Sequence, residues 1–235
     1  MSSAWRPAAD RLVASLRAIF SDRLRSVVAY GSHVDGDGDS RLSSLAIVSS
    51  LTAADLDACA RVAADWHRDG VGTPLLLPDE EFRDSFDAFP LEYGEIMRAH
   101  ETIFGPDPFA DQAIDPADLR RACEAQIKSH LVHLREGFLE AGGVPRAIAE
   151  LVAASAPAFG ALLRNLARLD GSQEPDRASA TRHGARLAHL PDGVVSDILA
   201  LERPSAMRTT DAARLFPEYL AAVEQLARFI NEWNG

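Results

Sequence analysis

The tetrapeptide Gly105-Pro106-Asp107-Pro108 constrains this chain more than any other stretch. Proline has no backbone N–H and holds φ near one value, so two prolines flanking an aspartate end both helices and central strands. In a chain of 235 residues both sides of this break are long enough to bury a core of their own. We place the domain boundary here, with one domain at 1–110, a second at 115–235 and a linker running to about Ile114. The two sides also differ in period, the first mixing strand-like and helix-like runs and the second being helical throughout.

In the first domain, Leu12, Val13, Leu16, Ile19 and Phe20 keep one helix face apolar between Pro7 and Phe20. Val27-Val28-Ala29-Tyr30 and Leu45-Ala46-Ile47-Val48 are short, β-branched-rich runs joined by a Gly/Asp-rich loop, and they read as neighbouring buried strands. Thr52-Ala53-Ala54-Asp55 has the form of a capping box with Asp in the Glu position, and the helix it opens runs to about Asp69 with Gly70 as its stop. Val71 to Leu77 predicts a third strand, and 79–87 a short amphipathic helix. Residues 89–97 read as a strand with Leu91 and Tyr93 on one side and Glu92 and Ile96 on the other, helix being the alternative.

In the second domain, Asp115-Pro116 caps a helix in which Leu119, Cys123, Ile127, His130, Leu131, Leu134 and Phe138 recur at helical spacing up to Gly142-Gly143. A second long helix spans about Val144 to Leu169, with Pro157 predicted to kink or split it. Further helices are expected at 177–188, 192–201 and about 210–233. The fold class is therefore α+β, a small mixed sheet with flanking helices followed by an all-α helical bundle.

Hydrophobic residues make up 47% and charged residues 25%, the balance of a folded globular chain. A net charge of −11 argues against a broad nucleic-acid surface, because affinity for phosphate backbones comes largely from Lys and Arg. Cys59 and Cys123 stand alone, so neither a disulfide framework nor a structural zinc site is expected. No stretch approaches the ~20 consecutive apolar residues of a membrane span, and Met1 to Arg6 lacks a signal-peptide core, so a cytoplasmic location is expected.

Tyr30-Gly31-Ser32 ends the first strand with a turn at which backbone N–H groups can approach an anion closely, since glycine has no Cβ. This strand-turn, together with the following strand and the Phe104-Gly105-Pro106-Asp107-Pro108-Phe109 segment, resembles the nucleotidyltransferase superfamily of the DNA polymerase β type in its small bacterial form. The whole-chain arrangement is similar to members with helical C-terminal partners, such as kanamycin-modifying enzymes and minimal nucleotidyltransferase and HEPN pairs. The resemblance implies a nucleotide site at Gly31, Ser32 and His33, with Mg²⁺ and a nucleoside triphosphate as cofactors where the ancestral site is retained.

In that family a Gly-Ser turn precedes an Asp-x-Asp strand, and a later strand carries a third acid. In-line transfer uses divalent ions bridged by paired carboxylates, and acids at i and i+2 on a strand share one face. Aligning Leu45-Ala46-Ile47-Val48 with the family's apolar run puts the two acid positions on Leu42 and Ser44, neither of which replaces a carboxylate. The third falls on Glu92, with Glu95 three residues on. The resemblance thus implies a degenerate metal site and a pseudoenzyme that binds a nucleotide or a partner protein. An active enzyme would need non-standard carboxylates, Glu92 with Asp35, Asp37 and Asp39. Those three alternate with Gly36 and Gly38; they have the oxygen chemistry of a hard cation site, and the same composition also makes an ordinary solvated turn.

A helical RNase or toxin-antitoxin component is a third reading. Arg177 to His183 and Arg182 to His189 both match the Arg-x4–6-His spacing of HEPN ribonucleases. His130 and His133, at i and i+3 on one helix, have the spacing to share a metal, with no third ligand in view.

Overall fold

The computed structural model describes residues 5–31, 41–172, 174, 176–201 and 209–233. The chain divides into two compact units, Met1–Asp115 and Pro116–Gly235. The first contains α1 (Arg6–Phe20), β1 (Leu24–Tyr30), β2 (Ser43–Val48), α2 (Ala53–Arg68), β3 (Leu75–Pro78), α3 (Asp79–Asp84), α4 (Pro90–Arg98) and β4 (His100–Phe104). Its four strands form one mixed sheet in the order β3-β2-β1-β4, in which β1 runs antiparallel to both β2 and β4 while β2 and β3 run parallel.

Both faces of this sheet are covered. On one, Leu42, Ala46, Val48, Val27 and Ala29 pack with Leu12, Leu16 and Phe20 of α1 and with Cys59 and Trp66 of α2. On the other, Val28, Leu45 and Ile47 meet an aromatic cluster of Phe82, Phe86, Tyr93 and Phe109. Phe82 is the hub of that cluster, with edge-on contacts to Phe86, Tyr93 and Phe109 at 5.2–5.5 Å between centroids, the geometry favoured by the ring quadrupoles.

Local chemistry explains several elements. The capping box forms as its residues predict: the Asp55 N–H donates to Thr52 Oγ1 at 3.3 Å and the Thr52 N–H donates to Asp55 Oδ2 at 2.9 Å. Arg23 adds a two-pronged ion pair to the same carboxylate at 2.6 and 2.8 Å. That guanidinium, with the Thr52 hydroxyl, holds the Asp55 carboxyl well below the usual carboxylate range. At the Gly-Pro break, Gly105 adopts φ +72° and lies so close to β1 that an added Cβ would overlap the Arg25 carbonyl oxygen, while Ser26 Oγ donates to the Pro106 carbonyl at 2.6 Å.

Two expectations need correction. Residues 89–97 are not a strand: Pro90 opens α4, which buries Leu91, Tyr93, Gly94 and Ile96. The strand lies just beyond, at His100–Phe104, where five half-buried residues on the sheet edge show no apolar alternation. The third strand is also shorter than expected, with Val71 reduced to an isolated bridge to Leu42.

The second unit is a bundle of α5 (Pro116–Glu140), α6 (Pro145–Leu169), α7 (Arg177–Leu187), α8 (Asp192–Ala200) and α9 (Thr209–Glu232). Helix α6 is its axis and packs against each of the other four. It continues unbroken through Pro157 and buries Val152, Phe159, Leu162, Leu163 and Leu166. Length and apolar composition alone would let α6 cross a membrane, and among the described residues no other helix meets that criterion. Here its apolar face lines the bundle core. Gly184 lets α7 sit directly on α6, since a Cβ there would overlap the Leu163 carbonyl oxygen.

Candidate functional site

Several polar groups of the first unit meet near the end of β1. Gly31 closes the strand at φ +87°, a left-handed conformation that side chains disfavour. A Cβ at Gly31 would lie 3.8 Å from Ser43 Oγ, so the Ser43 hydroxyl stands beside this turn. Ser43, Tyr30 and His100 are directly paired across β2, β1 and β4 and form one cross-strand row. Burial among the aromatic cluster raises the Tyr30 phenol above its ordinary range.

His100 is held at both ring nitrogens, Nδ1 at 3.0 Å from the Ile96 carbonyl and Nε2 at 3.1 Å from Asp107 Oδ1. The same Asp107 oxygen accepts the Phe109 N–H at 2.9 Å, and the Phe109 ring lies 5.0 Å from the imidazole. The Pro-Asp-Pro break therefore folds back to fix a histidine in the row beside Gly31. No motif announces this pair: His100 and Asp107 are seven residues apart and meet only because the chain turns after β4.

In the second unit, His130 and His133 do not share a ligand position. His130 Nε2 bonds the Tyr219 hydroxyl at 2.8 Å, and His133 Nδ1 bonds Glu136 at 3.1 Å. Burial first, and the neighbouring His133 second, lower His130 to about 4. His183, the histidine of the first Arg-x4–6-His match, is gripped by carboxylates, with Nε2 at 2.9 Å from Asp170 and Nδ1 at 3.4 Å from Glu174. Cys59 and Cys123 are both buried free thiols, and burial pushes Cys123 up to about 12.

No protein-family model matches the chain, and no curated protein matches it. Among solved structures, the crystal structure of spectinomycin adenyltransferase AAD(9) from Enterococcus faecialis with ATP and spectinomycin is similar. The TM-score is 0.57 at 12% identity, over 96% of this chain and 99% of that one. The fold is nucleotidyltransferase-like.

Within this nucleotidyltransferase-like fold the sequence-derived residues separate. Gly31 lies at the end of β1, while Ser32, His33, Asp35, Asp37 and Asp39 fall outside the described residues. Leu42 and Ser44 are each 1% exposed on the face covered by α1 and α2, away from Ser43. By alternation, the β2 face beside Gly31 carries Ser43, with exposed Arg41 two residues ahead. Leu42 and Ser44, on which the sequence alignment places the two acid positions, therefore face the helix-covered side of the sheet and Ser43 faces the other.

Glu92 is exposed on α4 and lies on a helix, where a strand was expected. The later strands supply no substitute beside Ser43: β3 reads Leu75-Leu76-Leu77-Pro78, and Glu101 of β4 is paired with Ala29, on the helix-covered face, where it bridges Arg6 at 2.6 Å. Among the described residues no three His, Cys, Asp or Glu side chains are grouped to hold a metal ion. The described groups beside Gly31 do not fit Mg²⁺, which is usually bound through one or two carboxylates together with waters and substrate phosphates.

Proposed function

We propose that this chain binds a nucleotide at the Gly31 end of β1 and does so as a pseudoenzyme, without the paired carboxylates that metal-dependent transfer requires. One observation carries this reading: the β2 face beside Gly31 presents the neutral hydroxyl of Ser43. A hydroxyl donates a hydrogen bond to a phosphate oxygen, whereas a carboxylate would repel it unless a cation stood between them. Arg41, exposed just ahead of Ser43, has the planar fork that suits a phosphate. Glycine at Gly31 keeps the approach to the backbone open. In this reading the protein's own donors take the place of a bridging ion, and the polyphosphate is bound without an in-line step.

Equilibrium binding of ATP, GTP and CTP by calorimetry tests this. At least one is expected to bind the intact chain, and the double variant Arg41→Gln with Ser43→Ala is expected to weaken it by about tenfold. Absence of binding by all three contradicts the reading.

A further inference from the structure

The second unit contains a groove that the sheet-end reading does not use. It has a volume of about 400 Å³ and is lined by His183, Arg186, Leu187, His189, Phe229 and Trp233, where the end of α7 meets the last turns of α9. This is within the range of small-molecule sites, roughly 300–1,000 Å³. Phe229 and Trp233, one helical turn apart, form an aromatic wall with centroids 5.4 Å apart and planes tilted by 54°.

The walls are anchored from outside the groove. Arg120 of α5 donates from Nε to the Trp233 carbonyl at 3.2 Å and from Nη2 to the Ile230 carbonyl at 3.3 Å, tying down the end of α9. Across the groove, Gln225 Nε2 donates to the carbonyls of Ala188 and His189 at 2.7 and 2.8 Å. That fixes a turn in which His189 holds φ +53°, a conformation uncommon for a residue with a side chain. The close seat of Gly184 on Leu163 fixes α7 itself. A site whose walls are set beforehand loses less entropy on binding.

The lining holds one permanently charged group, the Arg186 guanidinium, with two imidazoles and no carboxylate, on a chain of net charge −11. Both ring nitrogens of His183 are taken up by Asp170 and Glu174. The cation at the groove is therefore Arg186, exposed and without an ion-pair partner among the described residues. Aromatic faces accept a planar ring, and a guanidinium fork accepts a carboxylate or phosphate.

We propose that this groove is a binding site for a planar aromatic ligand carrying an anionic group, the ring lying against Phe229 and Trp233 and the anion paired with Arg186. The chemistry is shared by nucleoside monophosphates and aromatic carboxylates, so both are probes. The readout is the Trp233 indole N–H resonance in a ¹H–¹⁵N spectrum of the full chain, assigned with Trp233→Phe, while AMP or indole-3-acetate is titrated in.

At least one of these is expected to shift the resonance saturably, and its neutral counterpart, adenosine or indole-3-acetamide, to bind about tenfold more weakly. In Arg186→Gln, a surface substitution, charged and neutral probes are expected to bind alike. A response to AMP alone selects a phosphate ligand, and a response to indole-3-acetate alone a carboxylate. The proposal is overturned if neither probe moves Trp233 at millimolar concentration, if charge makes no difference, or if Arg186→Gln binds as the parent chain does.

Discussion

Ser43 and Ser44 are adjacent on β2 and face opposite environments. Ser44 Oγ is buried against α1 and α2 and has no hydrogen-bond partner among the described residues, which leaves it desolvated without compensation. Ser44→Ala is therefore expected to raise the free energy of unfolding by about 1 kcal/mol, read from urea denaturation. A loss of that size would mean that the hydroxyl has a partner.

His130 gives a second prediction at this scale. Its folded pKa of about 4 lies below the ordinary 6.5, so the unfolded chain binds its proton more readily. The associated stability is fully present above pH 6.5 and is lost as pH falls through 4, on the order of 3 kcal/mol in all. Urea unfolding at pH 7 and pH 4.5 should show a larger decrease for the parent chain than for His130→Gln. Equal decreases would remove His130 as the cause. The sequence does not reveal which of Ser43 and Ser44 faces which side, because both faces of β2 are buried and apolar alternation, the usual guide to register, is absent.

At the scale of elements, close backbone approach decides what is tolerated. Gly184→Ala must push α7 away from the Leu163 carbonyl, since backbone cannot yield as a flexible side chain does. A loss of about 2–3 kcal/mol is expected in thermal or urea unfolding. An unchanged melting temperature would show that α7 does not seat there as described.

Which elements are legible in the residues follows from how local their causes are. Thr52 and Asp55 cap α2 through contacts three residues apart, so the pattern alone reveals the helix start. Residues 89–97 form too short a window to distinguish two-residue from helical spacing, because Leu91 and Tyr93 fit the first while Tyr93 and Ile96 fit the second. What made α4 a helix is Pro90 in its first turn together with packing on Phe82 and Phe86. β4 escapes notice because an edge strand of half-buried residues lacks an apolar signature.

At the scale of the molecule, the α+β class and the nucleotidyltransferase-like fold were legible in the Tyr30-Gly31 strand-turn and in the all-helical period after residue 115. The proposed site is legible only in part. Gly31 is singled out by its own chemistry, whereas the placement of Ser43, Arg41, His100 and Asp107 near it depends on strand register and on a turn that folds back, neither of which is written in a local motif.

The central claim is that a nucleotide is bound by the protein's own donors with no bridging metal. Calorimetric titration of the tightest-binding nucleotide, once with Mg²⁺ and once with EDTA, tests it most directly, with release of label from an α-labelled triphosphate followed in the same samples. The account predicts dissociation constants within about threefold of each other, a difference of less than 1 kcal/mol, and no transfer of label. Binding that requires Mg²⁺, with label transferred to an acceptor, would contradict it.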